Sequence, residues 1–133
     1  MQSENQLETI ILQMQKRYTK FAEILRLTQE LDEALKRNDR ESADMLMQMR
    51  GQEMEAVSEM QEELAYGIAS LPNVQQTAIE FALYDAEEKQ IKRICELKER
   101  TQRILEKARD IDRQMNIRLA GKDSYYAQEQ KAD

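Results

Sequence analysis

The side chains able to do chemistry in this 133-residue chain are few and scattered. There is no His, which removes the Glu-x-x-His ligands of bundle di-iron enzymes, the His-Glu-x-x-His zinc site and every His-dependent triad or general base. Cys95 is the only cysteine, too few for a thiolate metal site or an intrachain disulfide, and it reads as a small core residue in a reducing compartment. Gly51, Gly67 and Gly121 stand far apart, so no Gly-rich loop can wrap a phosphate. Carboxylates sit side by side at Glu62-Glu63 and Glu87-Glu88, but adjacent residues on a helix point in different directions and serve as solvated surface. No cofactor or metal is expected, and the residues argue against an enzyme. An all-α mutase working with Arg, Lys and Glu in a bundle core would need those residues on the apolar stripes, and most lie off them.

What remains is chemistry for holding proteins. Met45, Met47, Met49, Met54 and Met60 crowd one stretch, and flexible, polarisable Met-rich faces suit partners that vary in shape. The plainer reading makes Met47, Met54 and Met60 core and leaves Met45 and Met49 incidental. Tyr125-Tyr126, in an otherwise polar end, offer contact area at low entropic cost and are candidate docking anchors; folding back to cap the bundle is the alternative. A net charge of −6 with no basic arm argues against nucleic acid. The longest apolar runs, such as Ile10-Ile11-Leu12, fall far short of the ~20 residues that span a bilayer. The first residues lack the basic and apolar regions of a signal peptide, so the expected location is the cytoplasm.

These residues need long helices to position them. Charged residues make up 35% of the chain and hydrophobic ones 41%, with three Gly, one Pro and no Trp. Such a composition favours helix over strand. Disorder is the competitor at this charge, but the apolar residues are periodic. A first stripe runs Leu7, Ile10/Ile11, Met14, Tyr18, Phe21, Ile24/Leu25, Leu31 and Leu35, weakened at Thr28. It lapses at Lys36-Arg37-Asn38-Asp39, where Asn38 or Asp39 can cap a second helix. The second stripe, Ala43, Leu46/Met47, Met54, Val57, Met60, Leu64 and Ile68, ends before Pro72. A third passes through Val74, Ala78, Phe81, Tyr84, Ile91, Ile94/Cys95, Thr101, Ile104/Leu105, Ala108, Ile111, Met115 and Leu119 without Gly or Pro until Gly121. The expected fold is all-α: long antiparallel helical hairpins in a three-helix, coiled-coil-like bundle with an extended C-terminal helix. One domain covers residues 1–120, with helices near 4–37, 39–69 and 73–120, and 121–133 form a tail.

Short connections fold consecutive helices back on each other, so the third helix should outrun the second. Its apolar positions Ile104, Leu105, Ala108, Ile111, Met115 and Leu119 are then a candidate partner-binding face, unless helix one covers part of them. Residues 38–70 carry eight acids and two bases, and residues 89–122 eleven bases and five acids. That complementarity predicts that helices two and three pair antiparallel.

Helix one leading into "EILRLTQELDEALKRNDRESADMLMQMRGQEMEAVSEMQEEL", a Pro-marked break and the long helix "ELKERTQRILEKARDIDRQMNIRL" together resemble the FlgN-like family of flagellar type III export chaperones. The likeness spans most of the chain and is one of architecture, with "LKRNDRESADML" similar to the family's turn into its second helix; no invariant motif anchors it. It implies a cytoplasmic chaperone for flagellum biogenesis that binds the C-terminal helices of hook-filament junction proteins, prevents their premature assembly and delivers them for type III secretion. By the same resemblance, cargo would lie on the Ile104 to Leu119 stripe and Tyr125 and Tyr126 would meet an export-gate component. A self-associating coiled-coil adaptor, as a homodimer, is the alternative from composition alone.

Overall fold

The first stripe forms a single helix, α1 (Gln2–Lys36), and the corner after it is built as its chemistry suggests. Asn38 takes the left-handed conformation (φ 57°) that a short polar side chain tolerates. Asp39 then caps α2 (Arg40–Ala69) by accepting a hydrogen bond from the Ser42 backbone N–H at 3.2 Å. Hydrogen bonding from the Ser42 side chain, and then from this backbone N–H, stabilises the ionised form and holds the Asp39 carboxyl below its ordinary range. At the other end of α2, Leu71 is buried, Pro72 opens α3 (Asn73–Phe81), and Gln76 Nε2 donates to the Leu71 carbonyl at 2.7 Å.

A computed structural model describes residues 2–82 and 89–132, with the side chains of 5–82 and 89–120. The described residues form an all-α bundle of four helices without strands, α4 being Lys89–Ala132. The long third helix expected from residue 73 is therefore two helices. α3 stops at Phe81, where Ala82 adopts φ 56°, a conformation that costs a non-Gly residue roughly 1–2 kcal/mol. Burial supplies the compensation: Ala78 and Ile79 pack with Ile91, Ile94 and Cys95 of α4. No Gly or Pro marks this break, because tertiary packing overrides helix propensity here. The expected stop at Gly121 is absent, and α4 runs on to Ala132; one glycine weakens a helix by about 1 kcal/mol without ending it.

α1 is the central element. It packs along both α2 and α4, whereas α2 and α4 do not lie closely against each other. Leu7, Ile10 and Met14 meet Leu64 of α2 and Ile91 and Ile94 of α4 at one end. Phe21 and Ile24 meet Val57, Ile104 and Leu105 midway, and Leu27, Leu31 and Ala34 meet Ala43, Leu46 and Met115 at the other end. Thus α2 runs antiparallel to α1 and α4 runs parallel to it. Burying each such Leu or Ile is worth roughly 1.5–3 kcal/mol, so these layers carry most of the stabilisation.

The close pairing expected between the acid-rich and base-rich segments does not form, because each packs on α1 instead. Glu53 of α2 lies 2.9 Å from Lys20 of α1, and Arg118 of α4 pairs with Asp32 of α1. α2 and α4 are antiparallel as expected, but among the described residues their only ion pair is Arg50–Asp112, with the base on the acidic helix and the acid on the basic one.

Candidate protein-binding surface

Two polar residues interrupt the apolar seam of α1 and divide it into its three layers. Thr28, fully buried, donates from Oγ1 to the Ile24 carbonyl at 2.7 Å. The same oxygen accepts from Arg50 Nη1 at 3.3 Å, and that nitrogen also donates to Asp112 Oδ1 at 2.6 Å. One side chain from each of α1, α2 and α4 is thereby tied at a single level. The other interruption is Arg17, half-buried between Met14 and Phe21, whose Nε is buried with no hydrogen-bond partner. Burial alone lowers the Arg17 pKa from its ordinary value.

Toward the middle of the bundle, next to the Arg50–Asp112 pair, α2 and α4 stand apart over α1 and leave an open crevice of about 370 Å³. Phe21 and Ile24 of α1 line it with Met54, Val57, Ser58 and Gln61 of α2 and Leu105, Ala108, Arg109 and Asp112 of α4. Between Met54 and Gln61 the α2 wall covers two helical turns, roughly 11 Å. An apolar floor, small residues at Ser58 and Ala108, and a flexible Met edge can take in the projecting side chains of another helix.

The stripe singled out from sequence is placed differently. Ala108 and Met115 are buried, and Ile104, Leu105 and Ile111 are half-buried against the other helices, so these five positions are chiefly core covered by α1 and α2. They do not outrun their cover as the sequence suggests, because α1 lies parallel to α4 and reaches to Arg118. Only Leu119 of that set is exposed, at 42%, beside Ile117 at 64%. Leu105 and Ala108 nonetheless reach the crevice with one edge. The side chains of Tyr125 and Tyr126 lie outside those described.

The methionines separate more clearly. Met45, Met47, Met49 and Met54 are exposed and Met60 is half-buried, so Met47 and Met54 are not core residues. Cys95 is core as expected, 7% exposed, with burial pushing its thiol pKa up, away from nucleophilic use. The crevice as a unit was not evident in sequence, because periodicity assigns a residue to a face without saying how far apart two faces stand. The signals that could have found its edge are Thr28, polar within an apolar stripe, and Arg50, a charge at a stripe position between Leu46 and Val57.

Among the described residues no cluster of three or more His, Cys, Asp or Glu side chains is placed to hold a metal ion. No described helix is long and apolar enough to cross a membrane. Comparison with known protein families, with curated proteins and with solved structures finds no match to this chain.

Proposed function

We propose that this chain is a cytoplasmic, non-enzymatic export chaperone of the FlgN-like kind, which shields an amphipathic terminal helix of a hook-filament junction protein until it is secreted. The observation that carries the reading is the open crevice between α2 and α4, floored by Phe21, Ile24 and Val57. A cargo helix laid there completes a four-helix arrangement and hides the apolar face it later uses in assembly. Exposed Met54 on the α2 side supplies an adaptable rim. The family assignment itself rests on the sequence resemblance.

The test is light scattering and titration of the full chain with a peptide spanning the C-terminal helix of a junction protein. A defined heterocomplex is expected, and Met54→Asp, at an exposed position, weakens it at least tenfold, about 1.4 kcal/mol, with the circular dichroism unchanged. A chain that is dimeric alone and takes up no peptide overturns the chaperone reading in favour of a self-associating adaptor, for which exposed Ile117 and Leu119 offer a contact.

A further inference from the structure

Resting on the docking site just proposed, we infer that the crevice is a slot stopped at both ends, by the end of α3 and by the Arg50–Asp112 pair. Its occupant is a partner helix whose apolar face is confined to about three turns. α3 itself shows how a helix sits there, because it runs parallel to α4. The Cys95 thiol donates to the Ala78 carbonyl at 3.9 Å, Lys98 Nζ donates to the Glu80 carbonyl at 3.5 Å, and Ala82 borders a cavity with Gln102. Ile91 belongs to the same buried cluster as Ala78, Ile79 and Cys95. Ile91, Cys95, Lys98 and Gln102 follow at alternating spacings of four and three, so they share one helical face. The same rhythm continues through Leu105, Arg109 and Asp112, and these three line the crevice. On α2, Met54, Ser58 and Gln61 line the crevice, and Leu64, one turn further, joins the cluster around Ala78 and Ile79. The crevice is thus the open continuation of the seat that α3 takes on α4.

Each end of the slot has a physical stop. α3 terminates at Ala82, in the left-handed conformation, and a helix lying along α4 from the crevice runs up against that end. At the other end Arg50 Nη1 reaches across from α2 to Asp112 Oδ1 of α4 at 2.6 Å. An apolar side chain laid over this pair takes water from two charges and returns no hydrogen bond, so favourable apolar contact stops there. From Gln102 to Asp112, α4 rises roughly 15 Å, about three turns. Over that length Phe21, Ile24, Val57 and Leu105 offer apolar contact. Any further apolar residues of the occupant gain no cover from the slot. The site therefore measures the length of an apolar face, and suits a helix that is apolar on one side for about three turns and polar beyond.

The experiment uses the full chain and three synthetic helical peptides of equal length, with apolar faces covering two, three and five turns and polar residues elsewhere. The three-turn face is expected to bind at least tenfold more tightly than the two-turn face, about 1.4 kcal/mol, and the five-turn face within twofold of the three-turn one. Spin labels on Phe81→Cys and, separately, Gly51→Cys locate the bound peptide by NMR line broadening. Phe81 is 63% exposed, a side chain at Gly51 meets nothing within 4 Å, and buried Cys95 stays unlabelled. The two labels are expected to broaden opposite ends of the three-turn peptide. Affinity that rises more than twofold again from three to five turns overturns the inference while leaving the docking site standing, as does a three-turn face that binds no more tightly than the two-turn one. Broadening of the whole peptide by the Phe81→Cys label places it beside α3 and also overturns the inference. Failure of every peptide to bind overturns the docking site and this inference together.

Discussion

Among the described residues, Arg50, Asp112 and Thr28 form a polar tie between all three long helices, and its strength follows from burial. Arg50 keeps 14% of its side chain exposed and Asp112 36%, with nitrogen and oxygen 2.6 Å apart. Exposed pairs are worth about 0–1 kcal/mol, and removing one member of a fully buried pair costs about 3–5 kcal/mol. The pair lies between these limits. Asp112→Leu strands the more deeply placed Arg50 with only the Thr28 hydroxyl for company and should cost about 2 kcal/mol. Arg50→Met keeps the apolar stem and leaves a carboxylate that water can reach, costing about 1 kcal/mol. With both replaced no charge is stranded, so the double variant should lose about 1.5 kcal/mol and the coupling comes to about 1.5 kcal/mol. Urea unfolding followed by circular dichroism measures all four proteins; at a slope of roughly 1.5 kcal/mol/M, Asp112→Leu lowers the midpoint by about 1.3 M. Additive effects, with a coupling under about 0.3 kcal/mol, would show that the pair is solvent decoration and that the tie does not hold α2 and α4 at their spacing.

Leu105→Ser with Ile111→Ser should destabilise the chain by about 3 kcal/mol, because both side chains pack in the bundle; unchanged urea stability would return these positions to the surface. Met115→Ala, at 4% exposure, should cost about 2–4 kcal/mol, whereas Ile117→Ser should stay within about 0.5 kcal/mol in the same assay. Asp39 has a folded-state pKa below its unfolded one, so its contribution is fully present above about pH 4 and is lost as pH falls through the lower folded value. Asn also caps helices but does not titrate. The stability difference between wild type and Asp39→Asn should therefore fade in acid, and a difference independent of pH would refute the cap's role. Native Cys95 should resist a thiol-specific disulfide reagent at neutral pH and react only as fast as the chain opens; immediate reaction would contradict its burial.

Most of α1 and α2 was legible because local chemistry decides them. Asp39 can cap, Pro72 cannot continue a helix, and the Leu7 to Leu35 stripe repeats without ambiguity. The break at Ala82 was not legible, since alanine is the strongest helix former and only the packing of Ala78 and Ile79 on α4 requires a turn there. What covers the C-terminal stripe was not legible for a related reason. Spacing placed Ile104, Leu105, Ala108, Ile111 and Met115 on one apolar face, but which helix covers that face depends on whether α4 returns beside α2 or beside α1. Charge suggested α2, but α4 packs along α1. The exposed methionines show the same limit: Met47 and Met54 keep the helical spacing of the α2 stripe but stand toward its edge.

The central place of α1 also fixes an order of events as the chain is made. α2 meets α1 across the tight Asn38–Asp39 corner, so that hairpin can close as soon as both helices have emerged. α4 arrives last and joins over a sequence separation of 86 residues at Arg118–Asp32, which makes its docking the slow, entropically costly step. Since α4 leans on α1 rather than on α2, it can also detach without dismantling the hairpin. Amide hydrogens of α4 should therefore exchange with solvent through a lower-energy opening than those of the α1–α2 interface, and the long C-terminal helix behaves as a separately opening unit of the fold.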